Sequence, residues 1–277
     1  MESSFRKNHM VGILPLSPHS SNLKMPWPDY LLHIGENFCI LKSCVHECLL
    51  AGCDSIWVVC NDNTSPIVRK VIGDYVLCPE GYYDPSSGQY SASYERFVPI
   101  FYTPMEQKYR NIESLGWSVL SGALTSFKVC SRISKWVRPS KYYVSFPYSV
   151  YDLSIVAANK SKIRSKDLFF LSFNEQTVKE NLQTGFSFAP RHWIRFKKNV
   201  KDNCTGADRS LPLEERWSSS KFTLDKIFNC DIIEEVQNTV EVSNYVHFDS
   251  WESVKEYYKN ENNILPLEKD IIGPYFK

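Results

Sequence analysis

The feature that most constrains this chain is a pair of short apolar runs with one amphipathic helix between them. Val11–Leu16 (VGILPL) is closed by Ser and Pro and predicts a buried strand. Ile40–Ala51 carries apolar residues at 40, 41, 44, 45, 48 and 49. That spacing draws one stripe along a helix, with Lys42, His46 and Glu47 off it. Gly52 stands where a C-terminal glycine cap belongs. Ser55–Cys60 (SIWVVC) then predicts a second strand, whose continuous β-branched and aromatic residues suit a parallel sheet covered on both faces. Thr64-Ser65-Pro66 opens a short helix over Ile67–Ile72, Gly73 ends it, and Tyr75–Leu77 returns as a third strand. Strand, helix, strand, helix, strand is the order of a doubly wound, mostly parallel α/β sheet with right-handed crossovers.

The rest of the chain continues in the same manner. Strands are predicted at Phe97–Tyr102, Tyr142–Phe146 and Leu168–Phe173. A turn at Asn174-Glu175 is followed by strands at Thr177–Lys179 and Gly185–Phe188. Helices are predicted at Trp117–Val129, Phe222–Val236 and Asp249–Tyr258, the last capped by Asp249 or Ser250. The polar stretch Lys197–Ser220 reads as a linker or insertion. We expect a single α/β domain over residues 1–277, with a C-terminal helical segment over 221–277.

Composition narrows the function. The 277 residues carry 32 basic and 31 acidic side chains, a net charge of +1. Such a balance offers no long-range field for a nucleic acid or an anionic membrane. No apolar run reaches the roughly 20 residues of a membrane helix, and the start lacks the long apolar stretch of a signal peptide. Nine cysteines occur without a CxxC pair. Cys44 and Cys48, four apart on one helix, can chelate a metal. They also fall on the core stripe, which makes them buried free thiols of a reducing cytoplasm.

Several segments resemble the sugar-phosphate nucleotidyltransferases. Pro28–Gly35 (PDYLLHIG) is similar to their PKPLLPIG segment, and ENFCILKSCVHECLLAGCDSIWVVC is similar to the helix and strand that follow it. GILPLSP sits where their first strand enters a glycine-rich loop. LGWSVLSGAL over residues 115–124 resembles their LGTAGAL segment, Gly185–Phe188 their late strand, and YVHFDSWE over 245–252 their yfDIdTpeD segment. These matches keep the family's order along nearly the whole chain. The resemblance implies a nucleotide-diphospho-sugar transferase-like fold, a nucleotide or sugar nucleotide as partner, and attack of a sugar phosphate on the α-phosphorus of a nucleoside triphosphate, with Mg²⁺ if the protein is active.

That chemistry gathers negative charge on phosphates and needs cations and N–H donors. Here the loop reads PLSPHSSN, without glycine or arginine, and prolines 15 and 18 lack an N–H. Asp29 stands at the family's lysine position, and Lys24 is the candidate catalytic cation in its place. Pro15, Ser17, His19, Ser20, Ser118 and Gly122 are the candidate substrate-binding residues. Asp152 and Asp249 are the candidate metal ligands, because the strand end that holds the family's Asp reads Phe146-Pro147-Tyr148-Ser149. His247 stands beside Asp249 where the family often has Asp.

Two further clusters stand out. Tyr82, Tyr83, Tyr90 and Tyr94 in the loop over 78–94 offer a surface for a base, a sugar or a protein partner. Residues 191–201 (RHWIRFKKNVK) mix basic and aromatic side chains, a phosphate footprint or the solvated face of a helix. Loss of several charged site residues together sets a second expectation beside the transferase: an inactive scaffold that binds or supports other molecules.

Overall fold

The computed structural model describes residues 9–16, 23–77, 82–84, 89–91, 97–104, 114–205, 210, 212, 222–229 and 238–259. The chain runs β1 (His9–Pro15), a hairpin of β2 (His33–Gly35) and β3 (Phe38–Cys39), α1 (Ile40–Leu50), β4 (Ser55–Cys60), α2 (Ser65–Ile72) and β5 (Tyr75–Leu77). A two-stranded ladder of β6 (Tyr82–Asp84) and β7 (Gln89–Ser91) follows, within the segment expected to be a loop. Then come β8 (Phe97–Pro104), α3 (Leu115–Ile133), β9 (Pro139–Val144), β10 (Ser149–Val150), α4 (Ser154–Ala158), α5 (Lys160–Ser165) and β11 (Leu168–Ser172). The chain continues through β12 (Phe186–Phe188), α6 (Pro190–Asp202), α7 (Leu224–Phe228), β13 (Thr239–Glu241), β14 (Val246–His247) and α8 (Trp251–Lys259).

Among the described residues, eight strands form one sheet in the order β13-β11-β12-β9-β1-β4-β8-β5. β1 pairs in parallel with β4 on one side and β9 on the other, and β4 with β8. Only β12 and β5 run against the rest. Leu14 and Val58 are register partners on adjacent strands. This is the mostly parallel, doubly wound sheet that the alternating elements predict. β1, β4 and β11 are buried along most or all of their length, which explains why they read as apolar runs, and β9 is buried at all but Ser140 although it carries Lys141.

Helices cover both faces. On one, α1 lies so close to β1 that a Cβ at Gly12 would sit 2.9 Å from Cys48 Sγ, and α2 packs beside α1. On the other, α3 crosses β1 and β4, where a Cβ at Gly122 would meet Val59 and Ile13 at 2.8 and 3.0 Å. Gly52 and Gly73 end α1 and α2 at φ +85° and +74°, a conformation that only glycine adopts without strain.

Three local expectations change, and the choice of cap for the last helix is narrowed to one of its two candidates. Asn174 and Glu175 do turn the chain, both with positive φ. The residues after them form a 3₁₀ turn, Val178–Glu180, not a strand. Thr177 caps that turn: its Oγ1 accepts from Lys179 N, and Glu180 accepts from Thr177 N at 2.8 Å. The first part of the supposed linker over 197–220 is helical, because α6 starts on Pro190 and buries His192, Phe196 and Val200 every fourth residue. The remainder of that stretch lies largely outside the described residues. α8 is capped by Ser250, whose Oγ accepts from Ser253 N, not by Asp249. Of the helix expected over 222–236, Leu224–Phe228 is helical and residues 230–237 lie outside the described part.

Candidate functional site

β1, β4, β8 and β9 point the same way, so their carboxyl ends form one rim. The strand order reverses at β1, with β4 on one side and β9 on the other. Ligands of open α/β sheets settle at such a switch point. The ladder continues slightly past the strands there: Leu16 N donates to Val59 O at 2.9 Å and Ser145 N to Ile13 O at 3.2 Å. The rim therefore consists of Pro15 and Leu16, Cys60, Thr103, and the segment Ser145–Ser149.

The sequence candidates distribute unevenly over this rim. Pro15 is buried at the end of β1, opposite Val59. Ser17, His19 and Ser20 lie outside the described residues. Ser118 is fully buried on α3. It sits one turn before Gly122 and nearer the strand ends, because α3 descends from β8 to β9. Gly122 itself is spent on the close helix–sheet contact. Lys24 is exposed, with φ +50°. The neighbouring Leu23 O accepts from Trp251 Nε1 at 3.0 Å, which holds the Lys24 segment against the start of α8, close in sequence to Asp249. Asp29 is half-buried in a 3₁₀ turn, and desolvation raises its carboxyl pKa.

Asp152 and Asp249 do not converge. β10 and β14 pair antiparallel, Ser149 with His247 and Val150 with Val246. Phe248 N donates to Tyr148 O, so Asp249 lies opposite Pro147 at one end of this ladder. Asp152 N donates to Ser243 O beyond the other end. At about 3.3 Å per extended residue the two carboxylates are too far apart to share an ion bound at roughly 2.0–2.6 Å. Asp152 has a local use: its Oδ1 accepts from Ser154 N at 2.9 Å at the start of α4. Asp249 is exposed on the rim. His247 is half-buried, and desolvation lowers its pKa, so it is neutral at pH 7. Among the described residues, no three His, Cys, Asp or Glu side chains come together as a metal cluster. The donor set therefore does not fit a divalent ion held by both aspartates. Cys44 and Cys48 are buried free thiols, and Cys44 Sγ donates to Phe146 O at 3.4 Å.

The rim segment itself explains the missing carboxylate. Phe146, Pro147, Tyr148, Ser149 and Val150 are all buried, and Ser149 Oγ donates to Gln183 O. Phe146 stacks on Phe186. The strand end where the sequence resemblance expects an acid is instead packed into the core.

Beneath this segment lies a charged residue that the helical pattern placed off the core stripe. Glu47 is 4% exposed. Its Oε1 accepts from Tyr143 OH at 2.6 Å and Tyr151 OH at 2.5 Å, and its Oε2 from Ser145 Oγ at 2.5 Å. Tyr151 OH in turn accepts from Gly185 N at 2.9 Å. Burial raises the Glu47 carboxyl pKa against the pull of its three hydroxyl donors. This network ties α1 to the end of β9 and to the segment leading into β12. Its only trace in the sequence is that Glu47 falls three residues after Cys44, on the edge of the buried stripe.

This architecture is the nucleotide-diphospho-sugar transferase-like fold. Among solved structures, the chain is similar to a putative glucose-1-phosphate thymidylyltransferase from Bacillus anthracis in complex with a sucrose, at TM-score 0.55 and 10% identity over 89% of this chain and 93% of that one. It is similar also to Rv0371c from Mycobacterium tuberculosis H37Rv, at TM-score 0.52 and 9% identity over 91% and 99% of the two chains. No family model and no curated protein matches the sequence. No helix among the described residues is long and apolar enough to cross a membrane.

Proposed function

We propose that this protein binds a nucleotide or sugar nucleotide at the carboxyl-end rim of β1, β4 and β9, and does so as a scaffold without metal-dependent nucleotidyl transfer. The observation that carries this reading is the burial of the whole segment Ser145–Val150 where the related chemistry needs an exposed acid. The switch point and the surrounding sheet are kept, and such a point is where open α/β sheets take up a base and sugar. Proline at position 15 and the separation of Asp152 from Asp249 remove the N–H donor and the paired carboxylates that a reacting triphosphate requires.

A second reading, transfer of a nucleotidyl group from a nucleoside triphosphate to a sugar phosphate, has one observation in its favour. The Leu23–Trp251 bond holds the exposed Lys24 segment against the start of α8, whose preceding residues include Asp249. Lys24 is the cation that such a reaction would use. One pair of measurements separates the two. Thermal melting with a panel of nucleoside triphosphates reports binding through the rise in Tm. Pyrophosphate release with sugar phosphates and Mg²⁺, in the native protein and in Lys24→Ala, reports transfer. The scaffold reading expects a rise in Tm with at least one nucleotide and no enzymatic pyrophosphate. Release that depends on Lys24 replaces it with the transferase reading.

A further inference from the structure

We infer that a cavity on the outer side of α1 and α2 is a second binding site, for a small aromatic anion. It has a volume of about 770 Å³, within the usual range of roughly 300–1,000 Å³ for small-molecule pockets. None of its lining residues belongs to the rim. Val68 and Ile72 turn α2 toward the sheet, and Ile67, Lys70 and Val71, spaced three and four residues apart, form the opposite face that walls the cavity. The other walls include Trp27, the β2–β3 hairpin residues His33 and Asn37, Lys42 at the start of α1, and Tyr258 of α8.

Two properties fix the ligand class. The first is apolar area offered to solvent: Trp27 is 51%, Tyr258 45% and Ile67 43% exposed. Three large apolar side chains around one concavity are a surface built for contact, because isolated exposed residues do not converge in this way. Trp27 stands between Pro26 and Pro28, whose fixed φ angles stiffen the backbone that carries the indole and so lower the ordering cost when an aromatic guest binds. Tyr258 is fixed as well, its hydroxyl donating to His33 O. The second property is charge. Lys42 and Lys70 line the cavity, and no carboxylate does so among the described residues. A flat apolar body between Trp27 and Tyr258 with one carboxylate or phosphate toward Lys70 satisfies both properties.

The test is a titration of the full chain with naphthoate and with its neutral isostere naphthamide, followed by ligand-observed NMR to give Kd. Naphthoate is expected to bind saturably and the amide more weakly. Trp27→Ala and Lys70→Gln, both at exposed positions that leave the core intact, are each expected to weaken naphthoate about fivefold or more, the weight of one charge or ring contact. The proposal is overturned if naphthoate shows no saturable binding, if the amide binds equally well, or if neither variant changes Kd. It is overturned also if a nucleoside triphosphate displaces naphthoate, because the probe would then sit at the strand ends.

Discussion

Replacing Glu47 by alanine strips the shared acceptor from three buried hydroxyls, those of Tyr143, Ser145 and Tyr151. Each buried donor left without a partner costs about 1–3 kcal/mol. Removing the buried carboxylate regains part of that sum, so a net loss of about 3–5 kcal/mol is expected. Against a total stability of about 5–15 kcal/mol this is a large fraction. Glu47→Gln behaves differently. Its oxygen keeps both tyrosine bonds, and Ser145 Oγ can rotate to accept from the new amide N–H. That variant is expected within about 1 kcal/mol of the native protein.

Burial raises the Glu47 carboxyl pKa in the folded state. Between the unfolded value, about 4.3, and the raised folded value, the native state holds a proton that the unfolded state has released. The stabilising contribution is therefore complete below the unfolded pKa and is lost as pH rises through the folded pKa. Glu47→Gln has no such titration, so its stability relative to the native protein improves from pH 4 toward neutrality. Urea melts of the three proteins across that range measure both effects. Equal destabilisation by Ala and Gln, or a near-neutral Ala variant, refutes the network as described.

Other perturbations follow from the same geometry. Gly185→Ala places a Cβ 2.4 Å from Glu47 Oε1 and 2.5 Å from Tyr143 OH, both held in the core; a loss of about 2–3 kcal/mol is expected in denaturant melts. Gly122→Ala forces α3 off Ile13 and Val59, with an expected cost of about 1–3 kcal/mol read in the same way. Lys141 is buried and its pKa is lowered to about 8 by desolvation. Its cost is fully present below pH 8 and is relieved as pH climbs toward its unfolded value. Lys141→Met is therefore expected to be more stable at pH 7 by about 1–2 kcal/mol, and to lack the gain in stability expected of the native protein between about pH 8 and 9.5.

The fold was legible because its signals are long and redundant. Val11–Leu16 and Ser55–Cys60 are continuous apolar runs, and the stripe between them is closed by a glycine at φ +85°. Thr177–Lys179 reads as a strand because a capped 3₁₀ turn and a short strand carry the same few polar and β-branched residues, and only the Glu180 carboxylate reaching back to Thr177 tells them apart. Lys197–Asp202 looked like a linker because α6 buries one residue in four and leaves its charges outside. At the site, absence was legible and arrangement was not. The missing acid at Phe146–Ser149 can be read letter by letter, whereas the distance between Asp152 and Asp249 depends on the register of a two-residue ladder. Glu47 escaped because a charge is assigned to solvent unless its partners are known. Those partners lie far along the chain, at residues 143, 145 and 151.

Calorimetric titration of the protein with a nucleoside triphosphate, once with Mg²⁺ and once with EDTA, bears most directly on the claim that the rim holds a nucleotide without a metal. Saturable heats with the same affinity in both buffers are predicted. Binding that appears only with Mg²⁺, or no binding of any nucleotide in either buffer, contradicts it.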